Sequence, residues 1–350
     1  QIENWSASIN GNTVEASMSG SPHHAEVLFQ LLDLAFTAPR LDTAEVAKWR
    51  LETRQQKFEG SAIETLRATT QRHPRVRPVI GATVDSVDTT TVLRFYRESF
   101  GDAGHFTFVI VGDFNVDALR PLVEQYIGGL PGHPSATPYR GRDLGIRFPT
   151  GIVQRSTGTS DSTSTTMITF EAATPVTPHT QVVAEALSII LNQHILLRLR
   201  QQLSGAYSPG ASCALQPIPY QHGICRVQFT SAPERAAELK QALFALIDTL
   251  RTKGVTAIDV QEARVIVRRT HEVDVQDNNF WMQELNTTVT AGESLDDLAA
   301  WEQQTQTVTA TEINKLLHTL LTPTRYVQVT SLPVRMLPMR ADEMRAALQW

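Results

Sequence analysis

Residues 21–32 read SPHHAEVLFQLL, and within them His23-His24-Ala25-Glu26-Val27 stands one residue short of H-x-x-E-H. That motif lines two imidazoles and a glutamate along one side of a helix, where the imidazoles hold zinc and the carboxylate acts as base toward a water. Two helical ligands share a face only at a spacing of three or four residues. His23 and His24 are adjacent, position 27 is valine, and none of the ten histidines has a partner at the required spacing. Val27 also lies four residues before Leu31, which puts it on the expected apolar stripe. The segment is therefore read as a helix start with two partly exposed histidines, and no metal site is expected there. The two cysteines, Cys213 and Cys225, form no C-x-x-C, so a cysteine-type zinc site is excluded as well.

The remaining composition narrows the classes further. A chain of 350 residues has room for two domains, and at 41% hydrophobic and 19% charged it can bury a core. A net charge of -5 without a basic block argues against nucleic acid as a partner. No apolar run stands out as long enough to span a membrane. The chain opens QIENWSAS, with neither an initiator Met nor a signal peptide, and reads as a piece of something longer whose targeting signal is not visible.

The elements around the near-motif form a pattern that occurs twice. In residues 4–56, the extended segments WSASI and TVEASMS flank the turn Asn10-Gly11-Asn12. Ser21-Pro22 then starts a helix, with serine as N-cap, proline in the first turn and Leu28, Leu31, Leu32 and Ala35 as the stripe. It ends near Thr37-Ala38-Pro39-Arg40, and Leu41-Asp42-Thr43-Ala44-Glu45 opens another. In residues 208–270, ASCAL and GICRVQFTS flank the turn PIPYQ. Ala232-Pro233-Glu234 starts a helix striped by Leu239, Leu243, Leu246 and Ile247, Lys253-Gly254 ends it, and Thr256-Ala257-Ile258-Asp259 opens the next. This is an internal repeat of domain size.

Before its hairpin the second copy carries GIVQRS and STTMITFEAA, read as a strand pair, and a long helix over roughly 178–203. The first copy has no counterpart, so it is expected to lack roughly 50 N-terminal residues, one long helix among them. It closes with a helix (VLRFYRESF), a strong strand (HFTFVIVGDF) and a helix (VDALRPLVEQYIGGL), ahead of the Pro/Gly-rich PGHPSATPYRGRDLG. The second copy closes with several helices, a strand (RYVQVTSL) and a tail helix. The expected organisation is a truncated α+β domain over 1–130, a linker over 131–148 and a second α+β domain over 149–350. Each is a mostly antiparallel sheet covered by helices.

LLDLAFTAPRLD, FYRESFGDAGHFTFVIVGDFNVDALRPLVEQYIGGLPG, and LRLRQQLSGAYSPGAS followed by FTSAPERAAELKQALFALIDTL cover most of the chain. In content and order they resemble the pitrilysin/insulinase family of zinc metallopeptidases, the inverzincins, and most of all its PqqL-like bacterial members. The run from Phe95 to Gly132 is the most specific. The resemblance implies four homologous domains in two halves enclosing a chamber. Zinc sits on an H-x-x-E-H helix of the first domain, completed by a later Glu, and an Arg and a Tyr of the fourth domain assist. This chain then resembles the third domain, truncated, plus the fourth: a catalytically inactive C-terminal half that closes the chamber. It would hold no zinc itself, zinc being expected in an N-terminal half or partner subunit. The implied substrate is a peptide or small protein and the implied location a bacterial periplasm. A non-catalytic structural or peptide-binding subunit of a hetero-oligomeric complex is the alternative.

Carried onto this sequence, the completing Glu falls at Gln55 or Gln56, where an amide replaces a charged oxygen donor, with Glu52 and Glu59 one turn to either side. The family's Arg, seven residues before its Tyr, falls at Arg200 with Tyr207 in LRQQLSGAY, Arg198 being the alternative in another register. A phenol and a guanidinium suit the oxyanion of peptide hydrolysis, and an Arg at a helix end equally suits the helix dipole. Arg72-His73-Pro74-Arg75-Val76-Arg77-Pro78 reads as a solvated loop, and the aromatics of Asn278-Asn279-Phe280-Trp281 as packed or chamber-lining. Cys213 and Cys225 lie equidistant from a turn centred near position 219, so they are expected to face each other across a hairpin, close enough for a disulfide.

Overall fold

A computed structural model of the chain describes residues 2–9, 14–55, 62–73, 84–133, 143–296 and 300–337. In chain order its elements begin with strands β1 (Ile2–Ile9) and β2 (Val14–Gly20) and helices α1 (Ala25–Thr37), α2 (Thr43–Gln55) and α3 (Ala62–Gln71). Helices α4 (Thr89–Phe100) and α5 (Val116–Leu122), strands β3 (Ile152–Thr159) and β4 (Ser164–Ala173), and α6 (Pro178–Ile195) follow. Then come β5 (Ala206–Gln216), β6 (His222–Ser231), α7 (Ala236–Lys253), α8 (Ala257–Asp274), α9 (Asn278–Ala291), α10 (Ala310–Leu320) and β7 (Tyr326–Pro333). They sort into two compact units. One comprises 1–57, 79–144 and 271–299, the other 58–78, 145–270 and 300–350. Two helices cross the repeat order, since α3 belongs to the second unit and α9 to the first.

The second unit is built on a five-stranded sheet of order β3-β7-β4-β6-β5, antiparallel except for β3 against β7. GIVQRS and STTMITFEAA are both strands but not neighbours, because β7 lies between them. One face of the sheet, with Ile168, Phe170, Val227 and Phe229, forms the main core with α6, α7 and α10. On another cluster Leu66 of α3 packs with Phe148, Val327 and Val329. Thr177 and Thr180 make the capping box of α6, which continues through a wider π turn to Gln202. This stretch, Pro178–Gln202, does have the length and apolarity of a membrane span. Its apolar side chains are spent on the core instead: Val183, Leu187, Ile190, Leu191 and Ile195 are buried. Both its ends are tied down, His179 to Glu312 at 2.9 Å and His194 to Asp259 at 3.0 Å.

Helix α6 also closes a sheet edge. Ser188 Oγ accepts from Cys213 N (2.7 Å) and donates to Cys213 O (3.0 Å). Asn192 does the same with its amide, Oδ1 accepting from Ala211 N (2.7 Å) and Nδ2 donating to Ala211 O (2.6 Å). Residues four apart share a helix face, so the pair satisfies the outward-facing backbone of β5 at alternate positions 211 and 213. At the far end of the sheet, Tyr220 donates to Glu171 at 2.6 Å, and Arg147 lies over the Tyr220 ring at 4.2 Å. Burial first, and the bond to Glu171 second, push the Tyr220 phenol up. Arg325 donates to the carbonyls of Pro149 and Phe148, which fastens 145–149 to this sheet.

Among the described residues of the first unit the ladder is the β1-β2 pair, with Ile9 opposite Val14. Ser21 caps a short 3-10 turn, Pro22–His24, that leads into α1, and Asp42 caps α2 through the amides of Ala44 and Glu45. The buried face of α1 is Phe29, Leu32, Ala35 and Phe36, with Leu28 and Leu31 half-buried. The expected phase was therefore one residue off, and Val27, expected in the stripe, is 42% exposed. Aromatic packing sets the phase: Phe36 meets Phe100 at 5.5 Å and Phe106 at 4.9 Å, and Tyr96 stacks on Phe100 at 4.4 Å. Asp102 accepts from the amides of His133 (2.9 Å) and Gly104 (3.0 Å), and the His133 bond leads in holding its carboxyl below the usual range. A Cβ on Gly104 would sit 1.9 Å from the His133 carbonyl, so only glycine permits this closure. HFTFVIVGDF, expected as a strong strand, is extended at Phe106 but joins no ladder among the described residues.

The closed edge gives a stability test. Asn192→Ala leaves the N–H and C=O of Ala211 without their partners, so the unfolding free energy should fall by roughly 1–3 kcal/mol. Urea unfolding measures this, and unchanged stability would show that the amide does not hold the edge.

Candidate functional site

Where the near-motif sits, the residues point apart. His23 and His24 are exposed on the 3-10 turn, and Val27 faces outward from α1. Glu26 accepts the Tyr126 hydroxyl at 3.2 Å, and Gln30 donates to the same oxygen at 3.2 Å, so this carboxylate serves packing between elements. Glu52 is exposed on α2, while the Gln55 side chain, Gln56 and Glu59 lie outside the described residues. No three His, Cys, Asp or Glu side chains converge among the described residues, so this donor set does not fit a zinc ion.

Arg200 and Tyr207 sit on either side of one tight connection. The π turn Leu196–Gln202 buries Leu199 completely and leaves Arg200 exposed. The chain then reverses: Leu203 N donates to Arg198 O, and Gly205 N to Leu199 O at 3.2 Å, with Ser204 at φ 48°. Tyr207, the second residue of β5, lies opposite Thr230, and Gly210 pairs with Gln228. Three steps on one strand thus face two on the other, a bulge with Ser208 at φ 44°. A bulge re-aims side chains, and Tyr207 is 66% exposed. Arg198 is engaged by Gln202 at 2.9 Å, whereas neither the Arg200 nor the Tyr207 side chain has a hydrogen-bond or ion-pair partner among the described residues.

The residue that holds this connection was missed in the sequence. Arg235 donates to Leu203 O at 3.1 Å and Ser204 O at 3.4 Å, while Glu238 grips the same guanidinium at 2.9 and 3.0 Å. The bond to Glu238 holds Arg235 firmly protonated, and Arg235 in turn holds the Glu238 carboxyl below its usual range. A Cβ on Gly205 would lie 2.8 Å from Leu239 Cδ2 and 2.9 Å from the Arg235 guanidinium carbon, so a larger residue there would displace the Leu239 and Arg235 side-chain ends. One signal was available: Pro233-Glu234-Arg235 puts a cation at a helix N-terminus, where the dipole disfavours it unless something else holds it.

Cys213 and Cys225 stand directly opposite on β5 and β6, 4.1 Å apart at Cα, and are joined by a disulfide. Gln216 pairs with His222, which centres the turn on 219. Of the other stretches, Arg72 and His73 follow the end of α3, and 74–78 lie outside the described residues. Trp281 donates to Val275 O at 2.8 Å, and Phe280 meets it edge-on at 5.5 Å, so both are half-buried packing residues.

Comparison with known proteins gives this geometry a setting. Residues 86–266 match the family model described as the peptidase M16 inactive domain. The chain is 24% identical over 321 residues to the probable zinc protease PqqL of Escherichia coli, covering 86% of this chain and 32% of that protein. The crystal structure of the periplasmic protease PqqL from Escherichia coli is similar at a TM-score of 0.74 and 21% identity, over 94% of this chain and 37% of that one. A peptidase M16 inactive domain from Pseudomonas fluorescens is similar at 0.76 and 15% identity, over 95% and 81%. These structural likenesses establish the fold, including the mostly antiparallel sheet covered by helices. The chain spans about a third of the length of the PqqL protein it matches.

The clamp is testable apart from any reaction. Arg235→Ala removes the bonds to the Leu203 and Ser204 carbonyls and should lower the urea midpoint of unfolding. It should also quicken amide exchange around 203–208, and a variant with wild-type stability and exchange would mean that Arg235 does not hold the connection.

Proposed function

The chain belongs to the peptidase M16 family, in the class described as its inactive domain, and from that premise we propose that it forms the C-terminal half of a PqqL-like zinc protease. The observation that carries the reading is the inactive-domain match over 86–266, in a chain that covers only 32% of its curated relative. On this reading residues 1–130 and 149–350 are the third and fourth of four domains joined by the linker 131–148. They close a chamber over a peptide or small protein bound by the N-terminal half. The zinc belongs to that other half, and no step of the reaction runs through a metal on this chain. The periplasm is the proposed location, as for the E. coli relative.

Within that chamber Arg200 and Tyr207 are oxyanion donors. Both are exposed, unpartnered among the described residues and mounted on a connection that Arg235 fixes. A guanidinium and a phenol O–H aimed where negative charge develops stabilise the tetrahedral intermediate without reorganising. An extended peptide held by strand addition would use an open sheet edge. In the second unit β5 is closed at 211 and 213, which favours the outer side of β3, where Gln154, Arg155 and Ser156 are exposed.

Two measurements test the reading. In the full-length protein, Tyr207→Phe should lower kcat by roughly a hundred-fold and leave KM nearly unchanged, since the bond strengthens in the transition state. An unchanged kcat removes Tyr207 from the reaction. Metal analysis of this chain alone, without a tag, should find no stoichiometric zinc. One tightly held zinc per chain, or chelator-sensitive peptide cleavage, would overturn the assignment of zinc to the other half. A full-length protein with no H-x-x-E-H helix would point instead to a non-catalytic subunit.

A further inference from the structure

Strands β5 and β6 turn a polar face outward. Along β6, Arg226 and Gln228 are exposed and alternate with buried Cys225, Val227 and Phe229. Thr230 of β6 stands opposite Tyr207 and shares a hydrogen bond with the Thr165 hydroxyl of β4 at 3.1 Å. Side chains two residues apart on a strand share a face, so Tyr207, Thr230, Gln228 and Arg226 lie together on the side away from the main core. Helix α3 covers this face at its β7 side, where Leu66 packs with Val327, Val329 and Met167. Over β6 and β5 the face is open: Ser212, Arg226 and Gln228 are all exposed.

One row across this face is rich in unspent donors. Ser212 on β5 pairs with Arg226 on β6, and Arg226 pairs with Thr169 on β4. Directly opposed residues bring their side chains within about 5 Å of one another. None of the three side chains has a hydrogen-bond or ion-pair partner among the described residues, although Thr169 is only 3% exposed and its hydroxyl is buried. A buried hydroxyl without a partner is uncommon and calls for a reason. Neither β5 nor β6 contains an Asp or Glu. The carboxylate on the next row, Glu171 of β4, is taken by the Tyr220 hydroxyl at 2.6 Å. The guanidinium of Arg226 is thus a cation flanked by two hydroxyls, with no acid of its own strand pair to neutralise it.

We propose that Ser212, Arg226 and Thr169 form a recognition row for an acidic side chain, Asp or Glu, of a bound peptide. This rests on the reading of Tyr207 as part of a peptidase site, and it names the class of substrate that site takes. A carboxylate matches the fork of a guanidinium with two parallel hydrogen bonds, and a neighbouring hydroxyl adds a third donor. The row also has a fixed distance from Tyr207. Arg226 lies four residues along β6 from Thr230, the partner of Tyr207, which is roughly 13 Å at about 3.3 Å per residue. An extended peptide lying along the strands, with its reacting carbonyl at Tyr207, therefore presents to Arg226 a side chain about four residues away. Arg226 is a specificity residue on this account and takes no part in bond breaking.

Matched peptides test the row. The probes are fluorescent decapeptides of alanine, serine and glutamine, blocked at both ends, with one Glu placed at each position in turn, and their all-Gln counterpart. By fluorescence anisotropy this chain should bind the preferred Glu peptide roughly tenfold more tightly than the Gln peptide, and Arg226→Gln should bring that ratio close to one. Arg226→Glu should reverse the choice toward a Lys peptide, an outcome that an unfolded variant cannot give. A wild-type ratio of one overturns the proposal, and so does a preference for Glu that survives Arg226→Gln. Equal binding of a Gln peptide with a free C-terminal carboxylate also overturns it, because the row then reads chain ends. Cleavage by the full-length protein bears on the other reading. A Glu preference in binding without cleavage leaves the row standing and counts against the peptidase site, whereas cleavage without a Glu preference leaves the peptidase site and removes the row.

Discussion

A backbone N–H or C=O taken out of water must find a partner, and this requirement organises the whole chain. In the second unit it is met to the edge. The inner strands pair on both sides, and at β5, where the sheet runs out of strands, Ser188 and Asn192 of α6 supply the missing donors and acceptors at 211 and 213. That arrangement fixes how α6 lies on the sheet, since two side chains four residues apart must meet two strand positions two residues apart. The core follows from it, because the same helix buries Leu187, Ile190 and Leu191 when its polar pair faces the edge. In the first unit the backbone of 107–111 finds no partner among the described residues, while Phe106 and Phe108 pack on the aromatic cluster.

Much of this was legible in the sequence because it is local. Serine before proline, Asp42 before α2, Thr256 with Asp259 and the Lys253-Gly254 stop all name helix ends, and each end is where it was read. The hairpin of the second unit was legible to the residue, since a turn centred on 219 forces Cys213 opposite Cys225. What was not legible depends on contacts remote in sequence. Leucine spacing placed Val27 in a buried stripe, but aromatic side chains outweigh it, and Phe29, Phe36 and Phe100 turn α1 so that Val27 faces out. HFTFVIVGDF has the composition of a strand, yet a strand exists only with neighbours, and composition carries no information about those.

The candidate site was half legible for the same reason. Arg200 and Tyr207 came from a resemblance in spacing, and spacing along the chain says which residues are close in sequence but not what holds them. The holding residue, Arg235, lies far along the chain on another element, and only its odd charge at a helix start marked it. The crossing of α3 and α9 between the two compact units is a second instance. Nothing in either helix's periodicity tells which of the two units it will join.

The closed edge and the exposed tyrosine are two results of one geometry. Helix α6 runs along β5 and shuts it at 211 and 213, so β5 is pinned there. The same helix ends at the π turn that carries Arg200, and a short reversal brings the chain into the start of β5 at Tyr207. With both the helix and the middle of the strand fixed, the reversal has little freedom left, and Arg235 removes what remains by binding the carbonyls of Leu203 and Ser204. The bulge between Tyr207 and Gly210 then takes up the mismatch between the reversal and the ladder. Strain is carried there by Ser204 and Ser208 at positive φ, conformations that persist only where the surroundings over-determine them. Tyr207 thus lies on a stretch of backbone held on one side by the clamp and on the other by the edge latch, and its ring is exposed.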